Sequence, residues 1–531
     1  MRIQRAIIIK ILGVLIHINE CNPKLIEIIR ITIIYREEIN LNKEKGLTAW
    51  SLTMLALGSV IGGSFFIGSS IAIKAAGPSI LIAYILGGIL VYFILFALSE
   101  MTVDNPDSGS FHTFATDAFG RGTGFVLGWV YWTGMVLAMS SEATAVSLLV
   151  KEFFPRISIP LLGSGIIISV TFVNLLGATM LSKLESGLAV IKILTILFFI
   201  IVAILLIVGL FPGKGLVGVK TLISEPLMPN GMKGLAGSML IVMFSYAGFE
   251  VIGLAASEAQ NKRVTIPKAI KITVFALLSL YIFSVLSILL LIPTENIPEN
   301  MSPIVTALNS VGIAWIGTVI NIVLITAILS TMLAAMFGLG RMIRSLADSG
   351  LAPVCLKEKT DVPYRGILFS GLFMLIALGI GLLLPSLYMF LISSGGFALL
   401  FTYVVIMATH IKYRTKHGKP GDKCRLYGYP YTSLFVLLTL VLAIASMPFV
   451  KGQTTGLIAG FIFLFLYTGI YFVITMVDKF TGKEKGHNEW NSKLSMETSN
   501  DLTSMKDLED SKLRNKERKE NQKVIKFKKK K

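Results

Sequence analysis

Long apolar stretches separated by short polar connections run through most of the chain. About twelve of them are long enough to cross a bilayer as a helix, which takes about 20 mostly apolar residues. They lie near residues 50–73, 79–98, 125–150, 157–177, 187–210, 234–256, 269–292, 304–338, 366–384, 386–410, 431–450 and 455–477. A transmembrane barrel would show short segments of alternating polar and apolar residues, which these stretches lack. The pattern predicts an all-α membrane protein with about twelve transmembrane helices.

The composition and the two ends of the chain extend this prediction. Hydrophobic residues make up 54% of the 531 residues, and charged residues make up 15%. Residues 1–44 are rich in isoleucine but interrupted by charges, so they form either an interfacial helix or a cytoplasmic extension with no assigned role. Residues 478–531 are polar and end in KVIKFKKKK. They are predicted to be a disordered cytoplasmic tail, which can also contact anionic lipid.

The net charge of +18 is distributed unevenly among the connections. Lys and Arg crowd the loops 258–271, 341–365 and 411–425, whereas PTENIPENMSP has none and KGQTTG has one. By the positive-inside rule the basic loops and both termini lie in the cytoplasm, although several basic residues of the early loops fall on the predicted outer side. This distribution argues for the lipid bilayer as the partner and against nucleic acid.

The sequence shows no pattern typical of an enzyme or a metal site. Cys21, Cys355 and Cys424 all fall on the predicted cytoplasmic side, where no disulfide is expected, and their spacing fits no metal motif. The histidines do not cluster. There is no phosphate-binding Gly-Lys-Ser loop, nucleophile elbow or His-Glu-x-x-His motif. We therefore expect no catalytic residue, no metal and no cofactor.

Two apolar stretches carry polar, glycine-containing interruptions. Residues 58–70 read GSVIGGSFFIGSS, although glycine in a helix interior costs about 1 kcal/mol relative to alanine. Small residues also let membrane helices pack closely, which is the simpler explanation for one such stretch. The sixth stretch, MFSYAGFEVIGLAASEA, has a similar interruption followed by Glu250. Paired interruptions five helices apart indicate a transporter built from two inverted five-helix repeats.

Unwound helices predict the chemistry of the ligand. Backbone N–H and C=O groups that are freed inside a membrane are tolerated only where they line a cavity. The N–H groups at the start of a half-helix carry partial positive charge and suit a carboxylate, whereas freed carbonyls suit an ammonium group. A cavity that receives both ends of a zwitterion predicts an amino acid as the ligand.

Several segments resemble a known family. They are GSVIGGSFF, FSYAGFE with EAQNKRVTIPKA, RMIRSLADSGLAP and ISSGGFALLFTYVVIMATH. These segments are similar to bacterial amino acid permeases of the amino acid–polyamine–organocation superfamily, above all to its proton-coupled amino acid transporter branch. The resemblance covers residues from about 45 to 477. It implies a leucine-transporter-like fold, with a ten-helix core of five plus five inverted helices over 45–410 in which helices 1 and 6 are discontinuous. A basic loop and two additional helices would follow over 411–477.

The resemblance also implies the binding residues. The first-helix motif falls on Ile61, Gly62, Gly63 and Ser64, whose amides would hold the substrate carboxylate, with Ser64 where a glycine is usual. Ser59, just before the motif, is included in the predicted site. In the sixth helix, the unwound segment that meets the amino group and side chain of the substrate falls on Phe244, Ser245, Tyr246, Ala247 and Gly248. Tyr246 is the candidate gate. The eighth helix retains Ser330 but lacks the polar pair that often follows it.

Three ionisable residues within apolar stretches are candidates for proton coupling, because charges inside a bilayer are costly. Lys192 either snorkels to the interface or, as the resemblance implies, takes the place of a sodium ion and exchanges a proton. Glu142 is either a packing carboxyl bonded to Ser140 or a neighbouring helix, or a proton-exchanging group. Glu250 is either a cap for freed amides or a coupling residue.

These observations predict a secondary transporter in the cytoplasmic membrane that imports amino acids by proton symport with alternating access. An amino acid exchanger and a non-transporting amino acid sensor stay as alternatives. A channel is disfavoured because the apolar stretches offer no continuous polar face.

Overall fold

The computed structural model describes residues 46–104, 111–211, 222, 225–254, 259–358, 360, 362–381, 383, 387–418 and 425–480. The side chains of residues 104, 178–186, 254, 478 and 480 are outside this description. The predicted extension 1–44 lies outside the described residues, and so does the predicted tail from residue 481 onward.

The regular secondary structure of the described residues is helical, apart from an isolated β-bridge between Leu47 and Ala259. In chain order the helices are α1 (Ala49–Val60), α2 (Gly63–Phe66), α3 (Gly68–Ala76), α4 (Ile80–Asp104), α5 (Phe111–Phe119), α6 (Arg121–Lys151), α7 (Ile159–Asn174), α8 (Ala178–Ile207), α9 (Gly231–Tyr246), α10 (Val251–Leu254), α11 (Lys262–Leu291), α12 (Pro303–Ser310), α13 (Ala314–Asp348), α14 (Tyr364–Gly381), α15 (Leu387–His417), α16 (Tyr431–Ala445) and α17 (Gln453–Phe480). Residues 465–480, the C-terminal part of α17, belong to a separate structural unit.

The helices have the length and surface of a membrane protein. Among the described residues, nine helical segments are long and apolar enough to cross a membrane, and α1, α7 and α16 are shorter apolar helices. Large apolar side chains point outward along them: Phe172, Leu194 and Phe275 are 64%, 58% and 74% exposed. A helix whose backbone bonds are satisfied internally can present such side chains to lipid. The predicted all-helical membrane architecture is confirmed at this level.

Two helix boundaries differ from the sequence prediction. The predicted stretch 304–338 is divided into α12 and α13, because Gly312 between them has a φ of +75° that ends the first helix. At its other end α13 continues to Asp348, with Met342, Ile343 and Leu346 buried. Hydropathy alone missed this extension because the buried residues there alternate with arginines. Similarly, α15 continues to His417, so Arg414 is a buried helix residue and not part of a basic loop.

The first and sixth apolar stretches of the sequence, which correspond to α1–α3 and α9–α10, are interrupted where the sequence predicts. α1 ends at Val60, and Ile61 and Gly62 have extended conformations before α2 begins at Gly63. α9 ends at Tyr246, and Gly248 has a φ of +102°, which glycine adopts without a steric penalty. The regular helix is therefore interrupted between α1 and α2 and again between α9 and α10.

The broken helices are enclosed by other helices. Among the helices of the described residues that are long enough to span a membrane, α6 is the most deeply buried. It packs against α15, α13, α5 and α7, while α1 packs against α8, α11 and α13. The breaks therefore lie in the interior, where every freed backbone group needs a partner.

Candidate functional site

The two helix breaks contact each other directly. Ser59 Oγ, on the penultimate residue of α1, donates to the carbonyl of Gly248 at 3.1 Å. Ser245 Oγ, at the end of α9, donates to the carbonyl of Ser64 at 3.1 Å. A Cβ on Gly248 would come within 2.7 Å of the Ser59 carbonyl oxygen, so only glycine permits this approach. The structure thus brings together the two segments that the sequence selected separately.

Glu142 occupies the amide groups at the start of α2. The amide of Gly63 donates to Oε2 at 2.6 Å, and the amide of Ser64 donates to Oε1 at 3.0 Å. The carboxylate is buried on α6, with 3% of the residue exposed. Ser140, which the sequence suggested as a partner, donates instead to the carbonyls of Val136 and Met374. Glu142 therefore binds the same amides that were predicted to hold the substrate carboxylate.

The small residues of the motif make this contact possible. A Cβ on Gly63 would lie 2.7 Å from Glu142 Oε2, and one on Gly62 would lie 3.2 Å from the same oxygen. Ser64 stands where a glycine is usual, but it lies inside α2 and is not among the positive-φ residues. Its side chain therefore causes no backbone strain, and its amide is used like that of Gly63.

Lys192 reaches the end of α1 from α8. Its side chain is fully buried, and Nζ donates to the carbonyl of Gly58 and to Thr331 Oγ1, both at 2.7 Å. Thr331 Oγ1 in turn lies 3.0 Å from the carbonyl of Ile61, to which it can donate. The ammonium group thus satisfies freed carbonyls of the first break, and the lysine does not extend to a membrane interface.

Thr331 was not selected from the sequence, which pointed to its neighbour Ser330. Successive positions on a helix point in directions about 100° apart, so the side chains of adjacent residues face different neighbours. The hydroxyl of Ser330 is buried and has no hydrogen-bond partner among the described residues. A hydroxyl at either position would look the same in sequence, and only packing distinguishes them.

Glu250 holds the second break together. Its Oε2 accepts from the amide of Gly248 at 3.0 Å and from the hydroxyl of Tyr403 at 3.2 Å. Its Oε1 accepts from the hydroxyl of Tyr131 at 3.2 Å. The carboxylate therefore caps a freed amide of its own helix and connects it to α6 and α15, which is the geometry of a capping residue.

Two tyrosine side chains also make hydrogen bonds at or beside the breaks. The hydroxyl of Tyr281 donates to the carbonyl of Ser245 at 2.9 Å, and the ring of Tyr281 stacks on Phe65 with centroids 4.0 Å apart. The hydroxyl of Tyr246 donates to the carbonyl of Tyr84 at 3.0 Å. The ring of Tyr246, the candidate gate, also lies beside that of Tyr281 with centroids 5.1 Å apart, so this side chain is between α4 and α11. Phe244 is buried at the end of α9, and Ala247 is half-buried.

A third buried carboxylate, Glu100, lies away from the two breaks. Glu100 of α4 forms a two-pronged ion pair with Arg414 of α15, in which Arg414 Nη2 lies 2.8 Å from Oε2 and Nε contacts Oε1. The amide of Leu426 donates to Oε2 at 2.9 Å, and the guanidinium lies over the ring of Tyr429. His410 Nε2 is 3.4 Å from Oε1. We call these residues the Glu100–Arg414 cluster.

This cluster could not be predicted from the sequence, because Glu100 and Arg414 are 314 residues apart. Within the described residues no group of His, Cys, Asp or Glu side chains is arranged to hold a metal ion.

Taken together, the interrupted membrane helices, their mutual contact and the buried ionisable groups define a multi-pass membrane protein of the transporter class.

The sequence pattern of the family described as amino acid permease matches residues 51–492. The amino acid permease YtnA of Bacillus subtilis strain 168, named as uncharacterized, is 32% identical over 440 residues, which are 81% of this chain and 94% of that protein. The γ-aminobutyric acid permease of Escherichia coli K12 is 32% identical over 427 residues, 78% of this chain and 91% of that protein. The γ-aminobutyric acid permease of B. subtilis strain 168 is 30% identical over 433 residues, 79% of this chain and 92% of that protein.

The chain belongs to the amino acid permease family, within the amino acid–polyamine–organocation superfamily. It is an amino acid transporter and not an enzyme.

Proposed function

We propose that the protein imports an amino acid across the cytoplasmic membrane by proton symport with alternating access. The observation that carries this proposal is the contact of the Lys192 ammonium group with the Gly58 carbonyl at the end of α1. The positive charge of Lys192 stabilises the break at the end of α1. Loss of this charge by deprotonation would weaken the hydrogen bond to the Gly58 carbonyl. A proton on one buried side chain can therefore control the position of the first broken helix.

The arrangement of the core is part of this proposal. Residues 45–410 form two inverted repeats of five helices, with α1 to α3 and α9 to α10 as the equivalent broken helices. Residues 411–477 add two helices, and both termini lie in the cytoplasm. The position of the breaks five helices apart and the concentration of basic residues in alternate loops support this arrangement.

The substrate binds between the two breaks. Its carboxylate is held by the amides of the segment from Ile61 to Ser64, and its ammonium group by carbonyls freed at the ends of α1 and α9. Ser59 and the segment from Phe244 to Gly248 complete the pocket. The direct contacts between the breaks support this assignment, because one ligand can then reach both. Glu142 and Glu250 are the other candidate coupling groups, and Glu250 acts chiefly by holding the second break.

Two of the relatives are named as γ-aminobutyric acid permeases, so this compound belongs in the test panel. Purified protein in liposomes is given radiolabelled γ-aminobutyrate, L-alanine, L-leucine or L-phenylalanine, with and without an inward pH gradient. Symport requires that one of them accumulates only with the gradient. Uptake that depends on internal amino acid would indicate an exchanger, and binding without uptake would indicate a sensor.

The contribution of Lys192 to coupling is tested in the same liposomes. Lys192→Ala should abolish accumulation driven by the pH gradient, whereas the exposed Lys271→Ala on α11 should retain it. Gradient-dependent accumulation by Lys192→Ala with unchanged pH dependence would refute the role of the lysine.

A further inference from the structure

The amides proposed for the substrate carboxylate already have a partner, which is the side chain of Glu142. Both oxygens of its carboxylate are used, one on the amide of Gly63 and one on the amide of Ser64. A carboxylate held by two adjacent N–H groups is what the substrate would present at this place. In chemical terms, Glu142 stands in for the carboxylate of the substrate.

Two carboxylates cannot share these amides. Placed side by side in a buried site, two negative charges repel strongly, and one of them must take a proton or leave. The space beside Gly63 is also tight, since a Cβ on this residue would lie 2.7 Å from Glu142 Oε2 and 3.1 Å from Ala145 Cβ. Binding of a substrate carboxylate therefore requires displacement of Glu142.

The surroundings determine what happens to the displaced side chain. Three titratable groups on other helices face Glu142, namely Lys192 of α8, Tyr281 of α11 and Tyr388 of α15. The Lys192 ammonium group is engaged with Gly58 and Thr331, and the hydroxyl of Tyr388 lies 3.4 Å from the carbonyl of Gly63. The two hydrogen bonds that Glu142 loses on displacement come from neutral amides.

A carboxylate released from its hydrogen bonds in such a dry site is very costly as an anion and much less so as a neutral acid. Displacement and protonation of Glu142 are therefore coupled by desolvation. The proton comes from the side to which the site is open, and the bonds that change are only hydrogen bonds.

We propose that Glu142 is an internal substitute for the substrate carboxylate and that its exchange with the substrate carries the coupled proton. This inference rests on the proposed function. In the empty protein the ionised Glu142 occupies the amides of Gly63 and Ser64. An incoming amino acid displaces it, and Glu142 takes up one proton. When the amino acid leaves on the other side, Glu142 releases this proton and returns to the amides, so that one proton accompanies each substrate.

The first test measures binding as a function of pH. The probe is whichever of γ-aminobutyrate, L-alanine, L-leucine and L-phenylalanine the wild-type protein binds. For the wild type, affinity should increase as the pH falls, by up to about tenfold per pH unit, because a proton is bound with the probe. Glu142→Gln should bind the same probe more tightly at neutral pH and without this dependence. It should exchange labelled for unlabelled probe but not accumulate it in a pH gradient.

The second test observes the proton directly. Infrared difference spectra of the wild type should show a protonated-carboxyl band when the probe is added, and Glu142→Gln should lack it. Glu152→Gln is the matched control, because Glu152 lies just beyond the C-terminal end of α6 and is bonded to Asn321. This control should keep both the band and the pH dependence. The amide derivative of the probe, which has no carboxylate, should not produce the band.

The outcomes separate this inference from the proposed function. Binding by the wild type without a carboxyl band, or an unchanged pH dependence in Glu142→Gln, would refute the exchange and leave transport intact. If Glu142→Gln fails to fold, the wild-type band and the amide derivative still decide the question. If the wild type binds none of the four probes, the proposed function fails, and this inference fails with it.

Discussion

Glu142 and Glu100 are both buried carboxylates on membrane helices, but they are held in different ways. Glu100 is fixed by the two-pronged guanidinium of Arg414 and by the amide of Leu426. Glu142 is held by two backbone amides that carry only partial charge. On the proposal made above, burial alone does not make a charge permanent, because a backbone amide that holds one carboxylate can bind another carboxylate instead.

The Glu100–Arg414 cluster connects side chains of α4 and α15 with the segment before α16. Opening it would leave two opposite charges without partners in the interior, which is strongly unfavourable. At the helix breaks, by contrast, the partners are backbone groups that any carboxylate or ammonium of suitable size can use. We therefore expect the cluster to behave as a fixed structural connection and the breaks to behave as an exchangeable site.

The largest effect should come from removing the cation of the cluster. Arg414→Met leaves the Glu100 carboxylate buried without its counter-ion, and a broken buried pair costs about 3–5 kcal/mol. Thermal unfolding in detergent should show a much lower midpoint, whereas the exposed Lys416→Met in the same helix turn should unfold like the wild type.

Removing both charges sharpens the same comparison. The double variant with Arg414→Met and Glu100→Gln should recover part of the lost stability, because no unpaired charge remains. A midpoint for Arg414→Met alone close to that of the wild type would show that the ion pair is not a structural connection.

The next largest effect should come from separating the two breaks. Gly248→Ala forces a non-glycine residue to a φ of +102° and places a Cβ 2.7 Å from the Ser59 carbonyl oxygen. Strain of this kind costs about 1–3 kcal/mol, and the probe should no longer bind. Gly338→Ala, where the added Cβ meets open space, is the matched control and should retain binding. Normal binding by Gly248→Ala would show that the close approach of the breaks is not needed.

A smaller effect is expected at Glu142 itself. The side-chain oxygen of Gln can still accept from one of the two amides, so Glu142→Gln should reduce stability by about 1 kcal/mol. Glu100→Gln should cost more, since it leaves Arg414 without a counter-ion in a buried place. Thermal unfolding of both variants measures the difference, and equal losses would contradict the distinction between fixed and exchangeable carboxylates.

The smallest effect concerns a buried group outside the spanning helices. Burial lowers the pKa of His112 to about 4 from its ordinary value of 6.5, and Nε2 has one polar contact, 3.0 Å from Ser345 Oγ. Because the unfolded chain then binds more protons, stability should fall as the pH decreases from 6.5 toward 4.

Between about pH 7.5 and 6 this loss should be less than about 1 kcal/mol. Unfolding midpoints measured across this range should show a slope for the wild type that His112→Gln reduces. An identical slope in both proteins would mean that other groups cause it.

Features that depend on a short stretch of sequence, such as the helix breaks, could be predicted from the sequence. Contacts between residues far apart in the chain could not. Glycines at 62, 63 and 248 weaken a helix wherever it packs, so both breaks could be placed from the sequence. The end of α13 was misplaced because arginines mask its buried face. Thr331 was missed in favour of Ser330, since hydropathy and spacing do not distinguish two adjacent hydroxyls.

The sequence by itself determined that this is an all-helical membrane protein with two interrupted helices and the motifs of an amino acid permease. Apolar length, glycine content and the order of motifs are properties of short segments, and the bilayer restricts what such segments can form. Only the tertiary structure decided which group each buried charge meets. Lys192 contacts Gly58, Glu142 contacts Gly63 and Ser64, and Glu100 contacts Arg414. These partners lie on other helices far along the chain, and packing alone brings them within hydrogen-bonding distance.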